Sequence, residues 1–154
     1  IMGGNGSYDK KMGEVPKGKR THIETGYTIM GHKVLLQGEN TTQTKNIMNS
    51  NSGDPIYLMA KKNLDGSLQI LNINHFSDHK IGFEVNLKYD SNGNVRQYNG
   101  KESNSHAHEW YQAPDGNMHR KEVEGNTHLQ IPSRYSALIK QIENFNKEKH
   151  KSKK

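Results

Sequence analysis

The sequence contains no cysteine. Disulfides, thiolate metal sites and a cysteine nucleophile are therefore excluded, as is the zinc deaminase pattern, which needs a cysteine pair. No run of about 18 apolar residues occurs, so no transmembrane helix and no membrane insertion are expected. The opening segment, Ile1–Lys11, has no apolar h-region, so no secretory signal is expected there. Ile1 directly before Met2 reads as the start of a piece cut from a longer protein. Apolar residues make up only 30% of the chain, and even with its 15 glycines added the fraction stays below the about 45–50% of an ordinary domain, which counts glycine. Polar loops must therefore fill much of its length.

The 154 residues suit one domain. The net charge of +6 invites a nucleic-acid partner, but the charge is unevenly spread. Lys147–Lys154 holds five lysines and one glutamate, so +4 lies in the last eight residues and +2 in the other 146. We expect a flexible Gly- and Lys-rich leader over 1–20, one globular domain over 21–146, and a basic disordered tail over 147–154.

Within the domain, Thr21–Gln37 predicts one or two strands broken at Gly26 and Gly31. Glu39–Asp54 is polar, with a loop or a short helix at Gln43–Met48. Ile56–Lys61 and Ser67–Ile73 flank Asp65-Gly66, a hairpin signal. Gly82–Tyr89 alternates, with Phe83, Val85, Leu87 and Tyr89 on one face and Glu84, Asn86 and Lys88 on the other. A turn at Ser91–Asn94 leads to a strand at Val95–Tyr98. Pro114-Asp115-Gly116 marks a further hairpin between His106–Gln112 and Met118–Val123. Tyr135, Leu138, Ile139, Ile142 and Phe145 follow helical spacing after Pro132, which fits a first-turn position. The fold class is α+β: an antiparallel sheet of hairpins packed against a C-terminal amphipathic helix.

Nine histidines are present, and four of them, His106, His108, His119 and His128, fall within a 23-residue window. Imidazole can take and give a proton near neutral pH. On a strand, His106, His108 and Trp110 share one face, and Ala107, Glu109 and Tyr111 the other. The returning strand brings either His119 or Arg120 across from them, depending on register. Two imidazoles with Arg120 or Lys121 are the parts a metal-independent ribonuclease needs. A base deprotonates the 2′-OH, an acid protonates the leaving 5′-oxygen, and a cation steadies the phosphoryl charge. Trp110 could stack on an unpaired base, and Arg134 could meet an anion near the helix start. On this reading His106, His108, His119, His128 and Glu109 are the catalytic candidates. Trp110, Arg120, Lys121 and Arg134 are the substrate-binding ones, and no metal or other cofactor is required. His-x-His on a strand could instead chelate an ion, with His119, His128 or Glu109 completing the site. Arg20, His22, Glu24 and Lys33 form a second polar set, and His75–His79 a candidate closing loop.

Gly31–Gln37 and His106–Lys121, set between a Gly/Lys-rich leader and a basic tail, resemble the C-terminal toxin domains of bacterial polymorphic toxins of the LXG or contact-dependent type. That resemblance implies a nuclease secreted as an effector and acting in the target-cell cytoplasm. It also implies a dedicated immunity protein, acidic against this basic chain. Many such domains place a helical part before the sheet, whereas here the strong helix is C-terminal. The expected activity is RNA cleavage. The alternatives are a metal-dependent DNA nuclease using the same histidines, and a non-catalytic binding module of a phage or secretion system.

Overall fold

The structure, a computed structural model, describes residues 22–37, 56–77, 80–96, 104–116 and 118–153. Seven strands form one sheet in chain order: β1 (His22–Ile29), β2 (His32–Gln37), β3 (Ile56–Lys62), β4 (Leu68–Ser77), β5 (Lys80–Asn86), β6 (His106–Gln112) and β7 (Met118–Arg120). One helix follows, α1 (Ser136–Lys147). The class is α+β, as the patterning predicts. The sheet is nevertheless mixed rather than purely antiparallel, because β2 and β3 run parallel. A parallel pair needs a connection of about a dozen residues or more, and the chain between Gln37 and Ile56 is long enough to supply it. The leader (1–20), the possible helix at Gln43–Met48, Arg20 and His79 lie outside the described residues.

Turn chemistry sets the hairpins where the sequence puts them. The amide of Gly66 donates to Asn63 O at 3.0 Å and that of Gly116 to Ala113 O at 2.9 Å. Both glycines have φ near +85° (86° and 84°), a conformation that glycine adopts without steric cost. The expected strand at Val95–Tyr98 reduces to a Tyr89–Val95 bridge, with 97–98 outside the described residues. The Asp90 carboxylate accepts the Asn92 and Asn94 amides there and closes the turn on itself.

The sheet has two faces. On one, Ile70, Ile73, Val85, Leu87 and Ala107 pack against Tyr135, Leu138, Ile142 and Phe145. Each buried Val, Leu, Ile or Phe side chain among them contributes about 1.5–3 kcal/mol, so this layer is the main core. Pro132 precedes a 3-10 turn at Ser133–Tyr135, one turn earlier than the helix proper. On the opposite face a smaller apolar cluster gathers Leu35, Tyr57, Met59, Phe76 and Trp110.

The basic tail, expected to be frayed, is held down as far as Lys153. Leu68 N–H donates to His150 O at 2.7 Å, Lys153 N–H to Thr25 O at 2.9 Å and the Tyr27 hydroxyl to Lys151 O at 2.7 Å. His150 stacks on Phe145, and Lys153 lies over the Tyr27 ring. Backbone groups and aromatic faces do the anchoring, so a run of like charges did not reveal it. The lysines at 147, 149, 151 and 153 remain exposed.

Candidate metal centre

The site is built on β6. Strand alternation puts His106, His108 and Trp110 on the face away from α1, while Ala107 points into the main core. Beyond β7 the chain reverses at Glu124-Gly125, both with positive φ (53° and 79°) and flanked by the Val123–Asn126 bridge. A two-residue turn of this kind suits a tight reversal. It carries the chain back so that Leu129 bridges Ala107, with mutual backbone bonds of 2.8 Å. His128 therefore arrives beside β6. Its own amide donates to Asn126 Oδ1 at 2.9 Å.

The three imidazoles meet edge to face. Ring centroids are 4.9 Å apart for His106 and His108, 4.5 Å for His106 and His128, and 4.9 Å for His108 and His128. One nitrogen from each ring lies within 4.8 Å of the other two. Two of the rings have fixed tautomers. His106 Nδ1–H donates to Asn104 O at 2.8 Å, and His108 Nδ1–H donates to Thr127 O at 2.7 Å. Each bond leaves Nε2 as the lone-pair nitrogen, the arrangement usual for metal-ligating histidines. Zn–N bonds of about 2.0–2.1 Å in a tetrahedron set N···N separations of about 3.3 Å, so the rings would draw together on binding.

Burial shapes the electrostatics. His106 and His108 are 2% and 1% exposed, and His128 is half-buried. Loss of solvent lowers the pKa of His106. The same loss, reinforced by the Arg120 charge, pushes His108 down to about 4. Both rings are thus neutral at pH 7, which is the ligating form. An unfolded imidazole titrates near about 6.5. Between that value and about 4 the unfolded chain holds the proton that folded His108 refuses. The stability that neutral His108 contributes to the metal-free fold should therefore be fully present above about pH 6.5 and be lost as pH falls towards 4. Urea midpoints of metal-free protein at pH 7 and 4.5 are expected to show a drop that His108→Asn reduces. An equal drop in that variant would contradict the assignment of this titration to His108.

Around the trio the same face is polar. Glu84, paired in register with both His108 and Asn74, is buried. One of its oxygens accepts Trp110 Nε1–H at 3.0 Å and Arg120 at 3.4 Å, so its charge is compensated. Asn86, across from His106, lies 3.3 Å from His106 Nε2 through Nδ2 and accepts a hydrogen bond from Asn72. Asn74 is fully buried, and its amide nitrogen and oxygen have no hydrogen-bond partner among the described residues.

The fold brings together His106, His108 and His128, with Arg120 across from Trp110. It does not bring in the others. His119 sits across from Tyr111 on the opposite face and bonds Asp115 at 3.1 Å. Glu109 lies across from Phe83, on the α1 side, and pairs with Lys121 at 3.6 Å. Arg134 lies over the Phe83 and Tyr135 rings, on the far side of the sheet from the trio. Trp110, expected to stack on a base, is only 9% exposed. Its ring packs with the second apolar cluster and under the Arg120 guanidinium. Sequence reasoning missed Glu84 and Asn86 as members of the site. Their alternation on β5 is visible, but their burial follows only from pairing with β6.

No family model, curated protein or solved structure matches this chain.

Proposed function

We propose that the chain is a nuclease domain whose reaction centre is a zinc-class divalent ion held by His106, His108 and His128. The observation that carries this reading is the convergence of three imidazole ligand atoms within 4.8 Å, two of them with Nδ1 committed to backbone carbonyls. Zinc, copper, nickel and iron suit imidazole ligands, whereas magnesium and calcium prefer oxygen. Three protein ligands leave a fourth position open, as catalytic rather than structural zinc sites do. An ion on His106 Nε2 would take the place of the Asn86 N–H there. Such an ion would supply a water activated as nucleophile near neutral pH and charge stabilisation for phosphodiester hydrolysis. Arg120 supplies a neighbouring positive charge.

Direct imidazole catalysis, the metal-independent ribonuclease route, needs an acid and a base that each touch the substrate. His106 and His108, at 2% and 1% exposed, offer little contact. Delivery as a bacterial toxin domain, with an acidic immunity protein as partner, remains part of the proposal on the strength of the sequence resemblance.

The test is to incubate the protein with total RNA and with plasmid DNA, in EDTA and after zinc is restored. Cleavage that stops in EDTA and returns with zinc is expected. RNA cleavage that persists in EDTA would return the reading to direct imidazole catalysis. No cleavage of either substrate in any condition would leave a binding module.

A further inference from the structure

A cavity of about 440 Å³ opens on the same sheet face, beside the histidine cluster. Lys61, Gln69, Asn72, Asn86 and Lys88 line it. Its volume lies within the range of ligand pockets, about 300–1,000 Å³. Lys61 faces Gln69 in register, and Asn72 faces Asn86, so the lining is set by the sheet itself. Asn86 is shared between the cavity and the cluster, through its contact with His106. Among the described residues no carboxylate lines the cavity, and both lysines are exposed. The lining thus combines two cations and three side-chain amides with the apolar surface of Leu71, Leu87 and Tyr89.

We propose that this cavity is the substrate subsite and takes one nucleotide unit of a single-stranded nucleic acid. Lys61 and Lys88 hold backbone phosphates as point charges. Gln69, with the donor and acceptor capacity that Asn72 and Asn86 keep beyond their bond to each other, can match base edges. The strand then runs from the cavity past the metal centre towards Arg120. His106 and Trp110 are four residues apart on β6, so this path spans roughly 14 Å at about 3.4 Å per residue. The direction of the path and its reaction rest on the metal-centre reading. Occupation of the cavity does not.

Binding can therefore be measured without metal. The probe is a fluorescein-labelled single-stranded RNA oligonucleotide of mixed sequence, followed by anisotropy in EDTA from 50 to 200 mM salt. The double variant Lys61→Gln/Lys88→Gln is expected to bind at least about tenfold more weakly. Each lost phosphate contact removes about 0.7 from the slope of log affinity against log salt, so the slope should fall by about 1.4. Both side chains are exposed, and the variant should fold as the parent does. Unchanged affinity and slope in that variant would overturn the proposal. So would a full loss carried instead by Lys149→Gln/Lys151→Gln in the tail, or no binding by the parent at 50 mM salt. Zinc content of the same preparations separates the two readings: a failed metal centre leaves the anisotropy result standing.

Discussion

His108→Asn is expected to lower phosphodiester hydrolysis by about a thousandfold or more while the circular dichroism spectrum stays that of the parent. Asparagine can still donate from its amide to Thr127 O, the bond that His108 Nδ1 makes at 2.7 Å. It has nothing in place of Nε2. The substitution therefore preserves the anchor of the 127–129 segment and deletes one of three metal ligands. A bound ion contributes several kcal/mol to charge stabilisation in the transition state, and each 1.36 kcal/mol is tenfold in rate. A loss of about 4 kcal/mol gives the factor stated. Added zinc should raise the melting temperature of the parent and not of the variant. Saturation at about 100 times Kd is worth about 2.7 kcal/mol, or roughly 5–10 °C for a domain of this size. Full activity in His108→Asn would remove the cluster from the mechanism.

The second large effect concerns the joint between sheet and helix. Asn146→Ala is expected to cost about 2–4 kcal/mol, read as a melting temperature lower by roughly 5–15 °C. Asn146 is buried in α1. Its Oδ1 accepts the Ile70 amide at 2.8 Å. Its Nδ2 donates to the Tyr89 hydroxyl at 2.8 Å and to Ile70 O at 3.3 Å. This single side chain ties both the amide and the carbonyl of Ile70 on β4 to the helix. Alanine would leave that amide buried without a partner, at about 1–3 kcal/mol, and would remove one of the two bonds at the Tyr89 hydroxyl, which keeps its own to Ile70 O. A change below about 2 °C would show that water replaces the amide at no cost.

Much of the fold is legible in the sequence because it is written in local chemistry. Asp65-Gly66 and Pro114-Asp115-Gly116 announce their turns. The alternation from Phe83 to Leu87 announces a strand with one face in the core. The spacing of Leu138, Ile142 and Phe145 announces the helix. The parallel β2–β3 pair is not legible, since nothing in either strand states which neighbour it will choose. The anchored tail is hidden for a related reason: its contacts are backbone groups of Lys151 and Lys153 meeting Tyr27 and Thr25, far away in sequence.

The candidate site divides in the same way. Period-two alternation alone puts His106 and His108 on one face. That His128 joins them depends on the Glu124-Gly125 reversal and the Leu129–Ala107 bridge, and that His119 does not depends on a one-residue choice of register with Tyr111. Trp110, Glu84 and Arg120 form one buried unit whose members lie 36 residues apart at the extremes. Only the sheet order brings that unit beside the histidines.

The most direct test of the metal centre is its stoichiometry. The protein is loaded with zinc, dialysed against metal-free buffer at pH 7.5 and assayed for metal by elemental analysis, beside His128→Ala. His128 is half-buried and lies outside the named strands, so its loss should spare the fold. The parent should retain about one zinc ion per chain and the variant almost none. A parent that retains none, or a variant that retains as much as the parent, would contradict a three-histidine metal centre.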